Sequence, residues 1–167
     1  AEWYTDEYKR GHAAGHDALR IACALVDHLG VDEGNEAVDR FYTALGTQAH
    51  KNGRRDDLRD NTVAFIDECL VMAGVSMTYN QTDATAFDDE VAASTEQALA
   101  RTGKDVGTPI LIFHPGQANE GSFFGPVIAR IPRGEEALKL WNAVEVVATT
   151  PGVAELKRTL RSKPVFD

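Results

Sequence analysis

Val106-Gly107-Thr108-Pro109-Ile110-Leu111-Ile112-Phe113 is the stretch on which the fold of this chain turns. Glycine and proline punctuate its entry, and four large apolar residues follow without interruption. Such a run reads as a strand that is apolar on both faces, as in a sheet covered on both sides, and a strand of that kind has a partner on each edge. A polar turn from His114 to Gly121 leads to a second short run, Ser122-Phe123-Phe124-Gly125-Pro126-Val127, which predicts a hairpin with a long loop. A two-stranded hairpin is marginal by itself. Either helices cover an unusually small sheet, or the remaining strands come from residues outside these 167. The abrupt start at Ala1, without an initiator Met, fits the second expectation.

Working outward, Gly134-Glu135-Glu136 opens a helix through Leu138, Leu140, Trp141, Val144 and Val147, with acidic residues suited to the dipole at its start. Thr150-Pro151-Gly152 ends it, and a short last helix is expected from Val153 to about Leu160. Everything before Gly103 reads as helix. Apolar residues recur at three and four from Asp6 to Leu29, with Gly30 as the stop. A second stripe runs from about Asn35 to Lys51, and Arg54-Arg55-Asp56-Asp57 follows as a charged link. Asn61 is placed to cap a third helix, in which Phe65, Ile66, Cys69, Leu70 and Ala73 share a face before Gly74. A fourth is expected from about Thr82 to Thr102, with a break near Ala86-Phe87, and with Val91, Ala98 and Leu99 inward.

The bulk properties narrow the function. The chain has 167 residues, 43% of them hydrophobic, enough for one globular domain or a domain with an insertion. Its net charge of -9 disfavours a nucleic acid or an anionic membrane as partner, leaving a small molecule or a protein. The longest apolar run, from Pro109 to Phe113, is far short of the ~20 residues that span a bilayer. No signal pattern precedes it, so the expected setting is cytoplasmic. Cys23 and Cys69 are the only cysteines, each within a helical apolar pattern, so the residues offer no disulfide framework and no C-x-x-C motif; structural thiols are expected.

Five segments carry a family resemblance: Tyr42-Thr43-Ala44-Leu45-Gly46, Asp105-Val106-Gly107-Thr108-Pro109, Phe123-Phe124-Gly125-Pro126-Val127, Ile131-Pro132-Arg133-Gly134-Glu135-Glu136-Ala137 and Glu155-Leu156-Lys157-Arg158. In combination they resemble the DsbA-like thioredoxin-fold family, most narrowly its actinobacterial mycothiol-dependent nitroreductase branch. The resemblance implies an α/β fold, mostly helical in this chain. Residues 1–103 would be an all-helical insertion domain, and residues 104–167 the carboxy-terminal half of a thioredoxin fold, hairpin plus helix. It also implies a thiol-disulfide oxidoreductase, a thiol-dependent reductase with mycothiol as thiol cosubstrate and no tightly bound cofactor. In the family a strand, a C-P-W-C-type turn opening a helix, and a second strand come first. These residues hold no such motif, so no catalytic nucleophile is expected among them.

By the same resemblance Pro109 would be the cis-proline that faces a redox centre, with Thr108 supplying backbone to an extended substrate or thiol. Tyr8 and His50 would lie on the helical side of the cleft and hydrogen-bond a substrate or proton donor; each reads equally as a packing or surface residue. His12 and His16 share a helix face at metal-binding spacing, yet Ala13 stands where a zinc protease needs glutamate, so no metal is expected. Gly103-Lys104 lacks the earlier glycine of a phosphate loop, Asp88-Asp89-Glu90 reads as a solvated helix start, and Trp141 reads as core. Two function classes stay open: an enzyme acting on electrophilic or disulfide substrates with a small-molecule thiol, and a non-catalytic helical binding or remnant domain. A glutathione-transferase-like order is disfavoured, since there the thioredoxin half precedes the helices. A homodimer is a further candidate, through apolar surface left by an incomplete sheet.

Overall fold

The computed structural model describes residues 5–80, 85–160, 162, 164 and 165. The chain divides into two compact units, 1–93 and 94–167. The fold class is a helix-rich α/β one, as the sequence predicts, with a two-stranded antiparallel sheet.

In the first unit α1 spans Asp6–Leu29. The Thr5 hydroxyl accepts from the Tyr8 N–H at 3.2 Å, Asp6 and Glu7 meet the positive end of the helix, and Gly30 ends it at φ 81°. The second helix, α2, spans Val31–Gly46 and therefore starts four residues before the expected Asn35. Gly30 serves as the junction of both helices, and Gly34 lets them approach: a Cβ there would stand 2.5 Å from the Val26 Cα. From Thr47 to Lys51 the chain stays helical but widens into a π turn.

The charged link proves to be a helix, α3, at Arg55–Asp60. None of its residues is buried, so it has no apolar stripe to read; Asp56 and Asp57 at its start and Arg59 at its end suit the dipole. Next comes α4, Thr62–Met72, with Asn61 at its cap position. The Asn61 side chain does not cap it. Its amide donates instead to Asp57 Oδ1 at 2.9 Å. Gly74, at φ 67°, closes the helix end, where the Val75 N–H reaches the Leu70 carbonyl. Inside these helices lie Ile21, Leu25, Phe41, Phe65, Ile66, Cys69 and Leu70, all but fully buried.

Helix α5 spans Asp88–Thr102 and begins after a turn at Ala86-Phe87, where the break was expected. The expected start at Thr82 lies outside the described residues. Val91 is buried, while Ala98 and Leu99 are half-buried. The division between the units falls within this helix.

The second unit holds β1, Ile110–Phe113, and β2, Gly121–Phe124, paired antiparallel with Ile110 opposite Phe124 and Phe113 opposite Gly121. The second strand stops before the Val127 expected, since Gly125 turns to φ 105° and Pro126 brings no N–H to a ladder. Helix α6 spans Gly134–Thr149. It approaches β2 closely at Gly121, where a Cβ would stand 2.2 Å from the Ala148 carbonyl oxygen.

Two expectations fail here. The last helix does not form: residues 153–158 have no regular structure, and Val153, Leu156 and Leu160 are exposed, so the apolar face they would make packs against nothing. Trp141 is not core but 51% exposed, its ring set 5.1 Å from that of Phe113. No described helix is long and apolar enough to cross a membrane.

Candidate functional site

The expected site residues fall in both units. In the first, Tyr8 stands on the opening turn of α1, exposed, with its ring tilted over His12 at 4.4 Å between centroids. His50 stands on the π turn that continues α2, its residue largely exposed. Partial desolvation, and next the guanidinium of Arg55, lower its pKa from the ordinary 6.5, which favours the neutral ring.

The sequence reading missed what builds that turn. Gln48, only 8% exposed, occupies a position inside the apolar stripe between Leu45 and Ala49. Its carbonyl oxygen accepts from Arg54 Nη1 at 3.0 Å and from Asn52 Nδ2 at 3.2 Å, and its amide nitrogen lies 3.3 Å from Met72 Sδ. Arg54 also binds Glu68 through both terminal nitrogens, at 2.6 and 2.8 Å, and Asp57 through Nε and Nη2, at 3.2 and 2.5 Å. The one signal in the sequence was the glutamine itself, a polar residue where the helical period asks for an apolar one.

Among the described residues no group of three His, Cys, Asp or Glu side chains could hold a metal ion, and of the two histidines of expected metal spacing His16 has an acidic neighbour. Its Nε2 lies 3.8 Å from Asp88 Oδ1, a carboxylate that Arg20 holds with bonds of 2.7 and 3.0 Å. The thiols are unsuited to nucleophilic work. Cys69 is fully buried and its pKa is pushed up to about 11, first by burial and then by Glu68. Half-buried Cys23 is pushed up by burial and by Glu90. A thiol becomes a nucleophile through its thiolate, and both environments oppose that form.

In the second unit Thr108 and Pro109 lead into β1, both exposed, joined by a cis peptide bond. The Pro109 carbonyl accepts from the Gly125 N–H at 2.8 Å, which ties the turn to the end of β2. Pro109 forms one wall of an apolar groove of about 300 Å³, with Leu111, Pro126, Ile128, Leu140 and Trp141 among the others. A hydrophobic groove beside an exposed backbone turn can receive the apolar part of a small ligand or an extended chain.

A helical unit, followed by a unit in which a Thr-Pro turn, a hairpin and a helix succeed one another, defines a helix-rich α/β protein. The chain belongs to the Rv2466c-like family, whose model, described as mycothiol-dependent nitroreductase Rv2466c, matches residues 3–158. It is also 33% identical over 151 residues to the uncharacterized protein Rv2286c of Mycobacterium tuberculosis, an alignment that takes in 90% of this chain and 60% of the relative. The chain therefore spans less than two thirds of the length of that curated relative.

Proposed function

We propose that this chain is part of a thiol-disulfide oxidoreductase of the DsbA type, a reductase that takes electrons from a low-molecular-weight thiol, mycothiol by family, and passes them to disulfides or small electrophiles. Residues 1–103 are its helical insertion domain, and residues 104–167 the carboxy-terminal part of its thioredoxin-like domain. Two molecules of the thiol become one disulfide as one substrate disulfide becomes two thiols. Thr108 and Pro109 present the backbone that receives substrate or thiol, and Tyr8 and His50 offer polar contacts from the helical domain. Its partners are small molecules, and its setting is the cytoplasm.

The observation that carries this reading is the family match across residues 3–158. A second reading, a non-catalytic helical binding domain, draws on the chemistry of Cys23 and Cys69, whose surroundings both disfavour the thiolate. The two readings separate in one experiment: mycothiol-dependent reduction of a model disulfide by the protein isolated from its native source, beside the same assay on the 167-residue chain. The redox reading expects turnover by the native protein. It also expects a loss of about tenfold in kcat/KM for His50→Gln, in line with removal of one hydrogen bond to a substrate or proton donor, and none for Cys69→Ala. No mycothiol-dependent turnover by the native protein establishes the non-catalytic reading.

A further inference from the structure

We infer that Arg54 is a positioning residue for His50, acting through the π turn that joins α2 to α3. The inference rests on the assignment of His50 to the site, and concerns what fixes its direction.

The π turn, Thr47–Lys51, is closed by the Asn52 N–H on the Thr47 carbonyl at 2.9 Å and the Arg54 N–H on the Gln48 carbonyl at 3.1 Å. One residue more or less in a helical turn swings every later side chain by about 100° around the axis. Rewinding this segment as α-helix would therefore aim His50 elsewhere. A π segment is a rare form that persists where its surroundings hold it.

Here the group that ties the turn to α3 and α4 is one guanidinium, with the Asn52 amide sharing the Gln48 oxygen. Arg54 lies 5.0 Å over the Phe65 ring and reaches Gln48 in the π turn, Asp57 in α3 and Glu68 in α4. Gln48 receives that bond while buried, anchored at its other end by Met72. A planar fork is needed for this: a lysine would carry the same charge on one compact ammonium, without the bidentate geometry that meets Glu68 and Asp57 from separate nitrogens. Arg54 itself touches neither a substrate nor a reacting atom. Its part is to keep the wide turn wide, so that the imidazole stays partly desolvated near Arg55.

The test is an NMR titration of the His50 ring in the 167-residue chain, its signal assigned by loss in His50→Gln, with the fold checked by circular dichroism. Wild-type His50 is expected to titrate below 6.5. In Arg54→Lys, which keeps the charge and loses the fork, and in Gln48→Leu, which changes no charge, the ring is expected to titrate closer to 6.5. A wild-type titration point retained in both folded variants overturns the inference, as does a rise in Arg54→Met with none in Arg54→Lys, which would reduce the effect to charge alone. Should Arg54→Lys fail to fold, Gln48→Leu decides. The readout needs no activity, so a silent His50→Gln in the turnover assay would sink the role of His50 and leave the tie between Arg54 and the turn standing.

Discussion

The two units spend their apolar residues differently. In the first, Ile21 and Leu25 from α1 and Phe65, Ile66 and Leu70 from α4 are sealed from solvent. In the second, Phe113 is the one large apolar side chain that is buried among the described residues, while Leu138 on α6 is 64% exposed and Trp141 half-exposed. Helical periodicity is present in both places. What differs is whether the stripe finds a facing surface within its own unit, and burial rather than pattern is what stabilises. The first unit has the means to stand by packing; the second leans on backbone proximity and the hairpin.

The strongest way to break that contrast is truncation of a side chain in each unit. Phe65→Ala removes a ring enclosed on all sides, and a loss of about 3–5 kcal/mol is expected in urea unfolding followed by circular dichroism. Leu138→Ala on exposed α6 is expected to stay within about 0.5 kcal/mol of wild type. Equal losses would mean that Leu138 is covered in solution by something that also matters to folding. Hydrogen exchange should tell the same story, with amides of α4 the slowest and those of β1 and β2 early.

Backbone approach offers a finer probe, because each unit has one glycine that another element closes upon. At Gly34 an added methyl would meet the Val26 backbone, and at Gly121 the Ala148 carbonyl and Thr149 Cα, all rigid atoms that cannot rotate away. Alanine at either site is expected to cost about 1–3 kcal/mol, the range for overpacking. Gly34→Ala should lower the midpoint read by helix signal. Gly121→Ala should part α6 from the hairpin, seen as a change in Trp141 fluorescence with the α4 amides still protected. If both variants lost the α4 protection together, the units would not be independent in stability.

Much of this was legible in advance. The helical block, the hairpin and α6 follow from spacing and from Gly and Pro, and α1 matches its expected span of about Asp6 to Leu29 because its apolar stripe is regular and Gly30 marks its end. The start of α2 was late because Val31 to Gly34 carry no stripe; the close crossing at Val26 holds them, which is a tertiary fact. Helix α3 was missed for the same reason, having only charged and polar residues plus Leu58. The terminal helix was over-read, since Val153, Leu156 and Leu160 are spaced for a face that nothing covers. At the candidate site the sequence pointed to His50 and Pro109 through resemblance. At Gln48 it offered only a polar residue in an apolar stripe, and at Arg54 only a charged link, because their bonds to Glu68 and Met72 on α4 are tertiary facts.

The smallest expected effect concerns acid. Glu68 is held below the ordinary 4.5, chiefly by its bonds from Arg54, and Asp57 below 3.8, first by the Asn61 amide and then by Arg54. In the second unit Glu120 is lowered by the Gly116 N–H and then by Arg101. A carboxylate whose folded pKa is depressed binds fewer protons folded than unfolded, so unfolding takes up protons and stability rises with pH. The contribution is present above the ordinary value and fades as pH falls through the lower, folded one. The urea midpoint of the wild type should therefore drop as pH is taken from about 5 to about 3, a window these three groups share with Asp60, Asp88 and Glu136, which are lowered by their own arginine partners. All of these groups are at the surface, so the drop is modest and shrinks with added salt. Glu68→Gln, which cannot titrate, should flatten the part of the slope that reports on the first unit. Glu120→Gln should flatten only the part read from the second, by fluorescence of Trp141. If Glu68→Gln left the slope of the helix signal unchanged, the bonds of Arg54 would be contributing nothing to the first unit beyond their geometry, and its stability would rest on the buried helix faces alone.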